Sequence, residues 1–187
     1  MQKIAALAGG FIVAVLASTP AHGADKNTKA CPLLTSAEVG AAVGAAVEHG
    51  QESSMVASEG PSKGQTFNMC NWDGGSNGSI AVTVGALPPG ASRETLVAQM
   101  TKQPWFEQLK AQGWTQQMKN VGDAVCLVIT PPAAQKDVPP QLLRAGASTS
   151  CYAGAKNAAV GVAFNGKLHV PFETVKALLD NVIGRLP

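Results

Sequence analysis

Four cysteines and the two histidines beyond residue 23 are the side chains in this sequence best suited to chemistry, and their spacing decides which kind. Cys31, Cys70, Cys126 and Cys151 are widely separated, with no C-x-x-C pair and no histidine close by. Zinc sites need paired, closely spaced thiolate or imidazole ligands, so this pattern argues against a metal or a redox motif. An even number of dispersed cysteines reads instead as two structural disulfides, formed in an oxidising compartment. Three connectivities are possible. Joining sequence neighbours, Cys31 to Cys70 and Cys126 to Cys151, is favoured because each bond then ties elements within one half of the chain. The closed loops, about 40 and 26 residues, would each contribute about 3–4 kcal/mol by restricting the unfolded chain.

His49 and His169 offer little for acid–base work. Glu48 adjoins His49, but neighbours on a strand point to opposite faces and make a poor dyad. No G-x-S-x-G elbow, H-E-x-x-H, phosphate-cradling glycine loop or S-x-x-K element is present. The glycine-rich run Asp73–Gly78 brings one carboxylate, where a calcium loop brings several; a hairpin turn explains it better. Asn77-Gly78-Ser79 matches a glycosylation acceptor formally and reads as turn chemistry. No catalytic residue, metal or cofactor is expected. The aromatics are the remaining candidates: Trp105, Phe106 and Trp114 would form a binding patch if exposed and would cover the sheet if buried. Trp72 is expected to pack near a disulfide.

The elements that would position these residues begin after an export signal. Lys3, an apolar run from Ile4 to Ala17 and the small-x-small triplet Ala21-His22-Gly23 have the layout of a cleaved secretory peptide. The run is too short to span a bilayer. Residues 1–23 are therefore expected to be removed. Residues 24–30 read as a flexible, charged start, and 31–187 as one domain of ordinary size. Without Lys3 the charges are 13 basic against 12 acidic. That balance gives no electrostatic case for nucleic acid or an anionic membrane. No further apolar stretch approaches membrane length, so no stable insertion is expected after cleavage.

Thr35-Ser36-Ala37-Glu38 is a capping box, with Leu34 and Val39 placed as a hydrophobic staple, and opens a short helix ending near Gly44–Val47. One strand is expected around Ser54–Ala57. Thr66–Trp72 alternates, Phe67 and Met69 on one face and Cys70 and Trp72 on the other, and Ile80, Val82 and Val84 mark its partner strand. Leu87–Gly90 closes that hairpin. Ser92 can cap a helix through Met100, broken at Pro104 and resumed until Gly113. Ala124–Thr130 reads as a buried strand, and 131–141 as irregular and Pro-rich. Ser148–Ala153 and Ala158–Phe164 read as a second hairpin turned at Gly154–Asn157. Phe172, Val175, Leu178, Leu179, Val182, Ile183 and Leu186 trace one face of a terminal helix. The fold class is α+β, an antiparallel sheet flanked by helices. Cys70 with Ile80, Val82 and Val84 is echoed by Cys151 with Val160, Val162 and Phe164; short strand patterns recur by chance, and two ordinary hairpins explain the echo better than an internal duplication.

Cys31-Pro32-Leu33-Leu34-Thr35-Ser36-Ala37-Glu38-Val39, with Cys70-Asn71-Trp72 downstream, resembles small exported bacterial proteins that share C-x-L-L-T-x-x-E-V and C-x-W. The resemblance covers mainly residues 31–72; some of those proteins carry a lipid-attachment cysteine that this chain lacks. It implies a sheet flanked by helices, similar to the PsbP-like α/β/α sandwich, with the first two cysteines bonded, and no activity. The expectation is a non-enzymatic periplasmic or secreted interaction module that binds a protein or an envelope component. The alternatives are a hydrolase with an unfamiliar site and a carrier of a small apolar ligand.

Overall fold

The computed structural model describes residues 28–57, 63–87, 110–132, 147–166 and 170–187, together with Ser92, Thr95 and Glu107. Seven antiparallel strands form one sheet: β1 (Gln51–Val56), β2 (Thr66–Asp73), β3 (Ser79–Ala86), β4 (Thr115–Val121), β5 (Ala124–Thr130), β6 (Ala147–Ala155) and β7 (Ala158–Gly166), in the spatial order β1-β2-β3-β7-β6-β5-β4. Two α-helices, α1 (Ser36–Val43) and α2 (Phe172–Arg185), and two 3-10 turns, Cys31–Leu33 and Gly75–Asn77, are the other elements whose bounds are described. The chain is an α+β fold with two disulfides, Cys31–Cys70 and Cys126–Cys151.

The first helix forms for the reason its sequence gives. The Thr35 hydroxyl accepts from the Glu38 amide, the Glu38 carboxylate accepts from the Thr35 amide, and Gly44 ends the helix in the left-handed region at φ 69°. Both groups satisfy amides that the first turn leaves free, and glycine enters the left-handed region without a Cβ penalty. In α2, Val175, Leu178, Leu179 and Val182 recur at helical spacing and are buried. Burying each contributes about 1.5–3 kcal/mol relative to exposure.

The sheet's centre is the β3–β7 pair, where Ile80 faces Phe164, Val82 faces Val162 and Val84 faces Val160. Residues directly opposite share a face, so one row runs Glu52, Cys70, Val82, Val162, Cys151, Cys126, Lys119 across all seven strands. This is the face on which α2 lies, across β5, β6 and β7. Trp72, Phe164, Ile80 and Leu179 are among the largest side chains fully buried there.

Several expectations are corrected. The strand placed at Ser54–Ala57 runs instead over Gln51–Val56, because β2 pairs along the whole polar stretch. The second hairpin turns at Lys156–Asn157, both with positive φ, since Gly154 and Ala155 stay paired with Ala159 and Ala158. β4 was not expected; TQQMKNV has no apolar alternation, and only pairing with β5 makes it a strand. At the end of the segment read as flexible, Thr28 O accepts from Asn68 at 2.8 Å and Ala30 is buried. Ser92 Oγ accepts from the Thr95 amide, as a cap does. The export signal, Pro88–Gly90, most of 93–109 and residues 133–146 lie outside the described residues, whereas Lys110 and Ala111 are helical and Gly113 follows at φ 84°, where the resumed segment was expected to end.

Candidate interaction surface at the β1 edge

The cysteines come together as covalent pairs and as nothing more. Sulfur atoms of Cys31 and Cys70 and a carboxylate oxygen of Glu52 lie within 4.8 Å of one another. The two sulfurs are bonded to each other, however, and the Glu52 oxygens accept from the Ala30 amide at 2.7 Å and the Cys31 amide at 2.9 Å. The donor set is spent on holding the Cys31–Leu33 turn against the sheet. Gly50 packs directly on Cys70 Sγ and the Trp72 indole, so Trp72 does lie beside that disulfide.

The structure places the other candidates as follows. His49 and Glu48 are exposed and line an open groove of about 740 Å³ with Asn71, Trp72, Asp73 and Ser79. Among the described residues His49 makes no hydrogen bond, and the Asp73 carboxylate is engaged by the Gly75 amide at 2.8 Å. These groups do not converge on one point. Trp114 is 4% exposed and is covered rather than presented. Trp105, Phe106 and His169 lie outside the described residues. Between α2 and the sheet, where an apolar ligand would sit, Phe164, Leu179 and Val162 are buried members of one core cluster.

One surface combines unused polar groups with exposed apolar side chains, and sequence reasoning missed it. Every residue of β1 is exposed, and β1 is an edge strand. Its inner and outer backbone groups can be told apart. The Ala57 amide donates to Gln65 O at 2.9 Å, just beyond the Val56–Thr66 pair. Antiparallel ladders alternate hydrogen-bonded and non-bonded pairs, and the register is unbroken from Gln51 to Val56. Gln51, Ser53 and Met55 therefore bond to β2, whereas the amides and carbonyls of Glu52, Ser54 and Val56 point away from the sheet.

Edges are normally blunted by proline, a bulge or lysine. β1 has none of these, and its one charge, Glu52, is folded back onto the Ala30 and Cys31 amides. At the other edge Lys119 reaches Glu173 on α2 at 3.3 Å. The large hydrophobic side chains exposed among the described residues are Met55 (51%), Val56 (62%) and Met118 (41%), all on edge strands. Met55 stands opposite half-buried Phe67, with Met69 two residues further along β2 on the same face, which extends the apolar strip inward. The alternation of Phe67 and Met69 was legible; that β1 would be an edge was not.

Compared with protein-family models, curated proteins and solved structures, the chain matches none. No helix among the described residues is long and apolar enough to cross a membrane. Two disulfides among these residues fit a compartment that keeps thiols oxidised.

Proposed function

We propose that this chain is an exported, non-enzymatic interaction module of the periplasm or extracellular space, which docks a protein partner by adding a strand to β1. The observation that carries the reading is the outward backbone row of Glu52, Ser54 and Val56, flanked by exposed Met55 and Val56. Backbone groups supply affinity in strand addition, and side-chain pockets beside the edge supply preference. The two disulfides and the secretory layout of residues 1–23 support export.

The test uses the protein from residue 24 onward with a photo-crosslinking side chain at position 56, exposed to an envelope extract. A crosslinked partner is expected, and Ser54→Pro, which deletes an outward donor, should abolish it. A crosslink indifferent to Ser54→Pro would remove the reading. Cell fractionation should place the chain outside the cytoplasm with Ala24 at its amino terminus; a full-length chain confined to the cytoplasm would remove the export part.

A further inference from the structure

Resting on this docking reading, we infer that the strand which adds to β1 is β1 of a second copy, antiparallel and centred on Ser54. Two arguments select that occupant and that register.

The first is the inventory of hydrogen bonds. The outward groups belong to Glu52, Ser54 and Val56. A two-fold axis through Ser54 sets Ser54 opposite Ser54 of the other copy and Glu52 opposite Val56 in both directions. All three outward positions then become hydrogen-bonded pairs, each exchanging two backbone bonds. Sliding the copies by two residues either way leaves two such pairs and strands the third.

The second is charge. Glu52 is the one ionisable side chain of β1. Opposed directly, the two Glu52 residues would repel. Centring on Ser54 places each carboxylate beside Val56, about 14 Å along the strand from its counterpart at ~3.4 Å per residue. Ser53 then faces Met55 across the junction, and the exposed Met55 and Val56 side chains are partly covered. The register with the most hydrogen bonds is also the one that separates the charges.

An isologous pairing of this kind closes after two copies, whereas joining β1 to the β4 edge of the next copy would propagate without limit. A six-residue junction buries less than a standard interface, so the dimer is weak, with a dissociation constant on the order of 10–100 µM.

The experiment uses the protein from residue 24 onward. Sedimentation between about 5 and 500 µM, bracketing that weak affinity, should show a reversible monomer–dimer equilibrium. Ser54→Pro should shift it to monomer, with an unchanged far-ultraviolet spectrum confirming the fold. Under mild oxidation Ser54→Cys should form a covalent dimer, because hydrogen-bonded partners lie about 5.5 Å apart, within disulfide reach. Ser53→Cys should not, because its counterpart would lie about 7–8 Å away on the diagonal. A monomer throughout the range, equal crosslinking of the two variants, or crosslinking of Ser53→Cys alone would each overturn the inference. Should the protein stay monomeric while the position-56 crosslink to an envelope protein is still lost in Ser54→Pro, the self-pairing falls and the docking reading stands. Loss of neither would fell both.

Discussion

Cys70 and Cys151 stand in one row of the sheet, each beside a valine, Val82 and Val162, and those two valines face each other across the central strand pair. A local two-fold between β3 and β7 therefore relates β1-β2-β3 to β5-β6-β7. Under it Glu52 corresponds to Cys126, the neighbours of Cys70 and Cys151 in the row. The second half bonds its cysteine to the adjacent strand. The first half bonds Cys70 to the turn above it, and Glu52 clasps the Cys31 amide of that turn.

The two disulfides should be unequal in effect. Cys31–Cys70 spans 39 residues and is the covalent tie of the amino-terminal turn, whereas Cys126–Cys151 joins strands already paired by hydrogen bonds. Replacing Cys31 and Cys70 together by alanine should cost about 2–4 kcal/mol. Urea unfolding reads it; an unmoved midpoint would contradict the assignment.

α1 and α2 are clamped by Glu38 and Arg185, whose guanidinium nitrogens lie 2.7 and 2.8 Å from the two carboxylate oxygens. That bond with Arg185, aided by the Thr35 amide and hydroxyl against an opposing effect of burial, brings the Glu38 carboxyl down to about 2. A carboxyl depressed by folding gives stability that is complete above its ordinary value of 4.5 and lost as pH falls towards 2. The ion pair is partly solvated, so the loss should be about 1 kcal/mol after allowance for screening. Thermal melts from pH 6 to 2 should show it for the wild type and less of it for Glu38→Gln. Parallel curves would refute the clamp.

Proline separates the two sides of β1. At position 53 it removes an amide bonded to β2 and should destabilise by about 2–3 kcal/mol. At position 54 the amide points outward, where an edge strand tolerates proline, and stability should change by less than about 1 kcal/mol. Equal losses for Ser53→Pro and Ser54→Pro would reverse the deduced alternation.

Tyr152, the one tyrosine, lies over Gly161, where any Cβ would meet its ring. The residue is half-buried, and the loss of solvent around its ring pushes the phenol above 10, partly offset by a hydrogen bond with Ser150. A phenol raised by folding contributes stability below its ordinary value and loses it above. Alkaline difference absorbance should show the phenolate emerging above pH 10 together with loss of structure, and Tyr152→Phe should be less sensitive to alkali. Ionisation at an ordinary value with the fold intact would refute the burial.

Local pattern alone determined much of this protein. The capping box at Thr35–Glu38, the alternation of Thr66–Trp72, the apolar run Ala124–Thr130 and the helical stripe from Phe172 each encode their element within a few residues, and both disulfides follow from chain proximity. Tertiary structure decided the rest. TQQMKNV and the first half of QESSMV are strands because neighbours supply hydrogen bonds, which polar composition does not reveal. Which strand is left at an edge depends on the order of all seven, a non-local outcome of the β3–β7 pairing. The backbone row at Glu52, Ser54 and Val56 therefore has no signature in residue type, since every residue carries the same amide and carbonyl and only the missing neighbour makes them available.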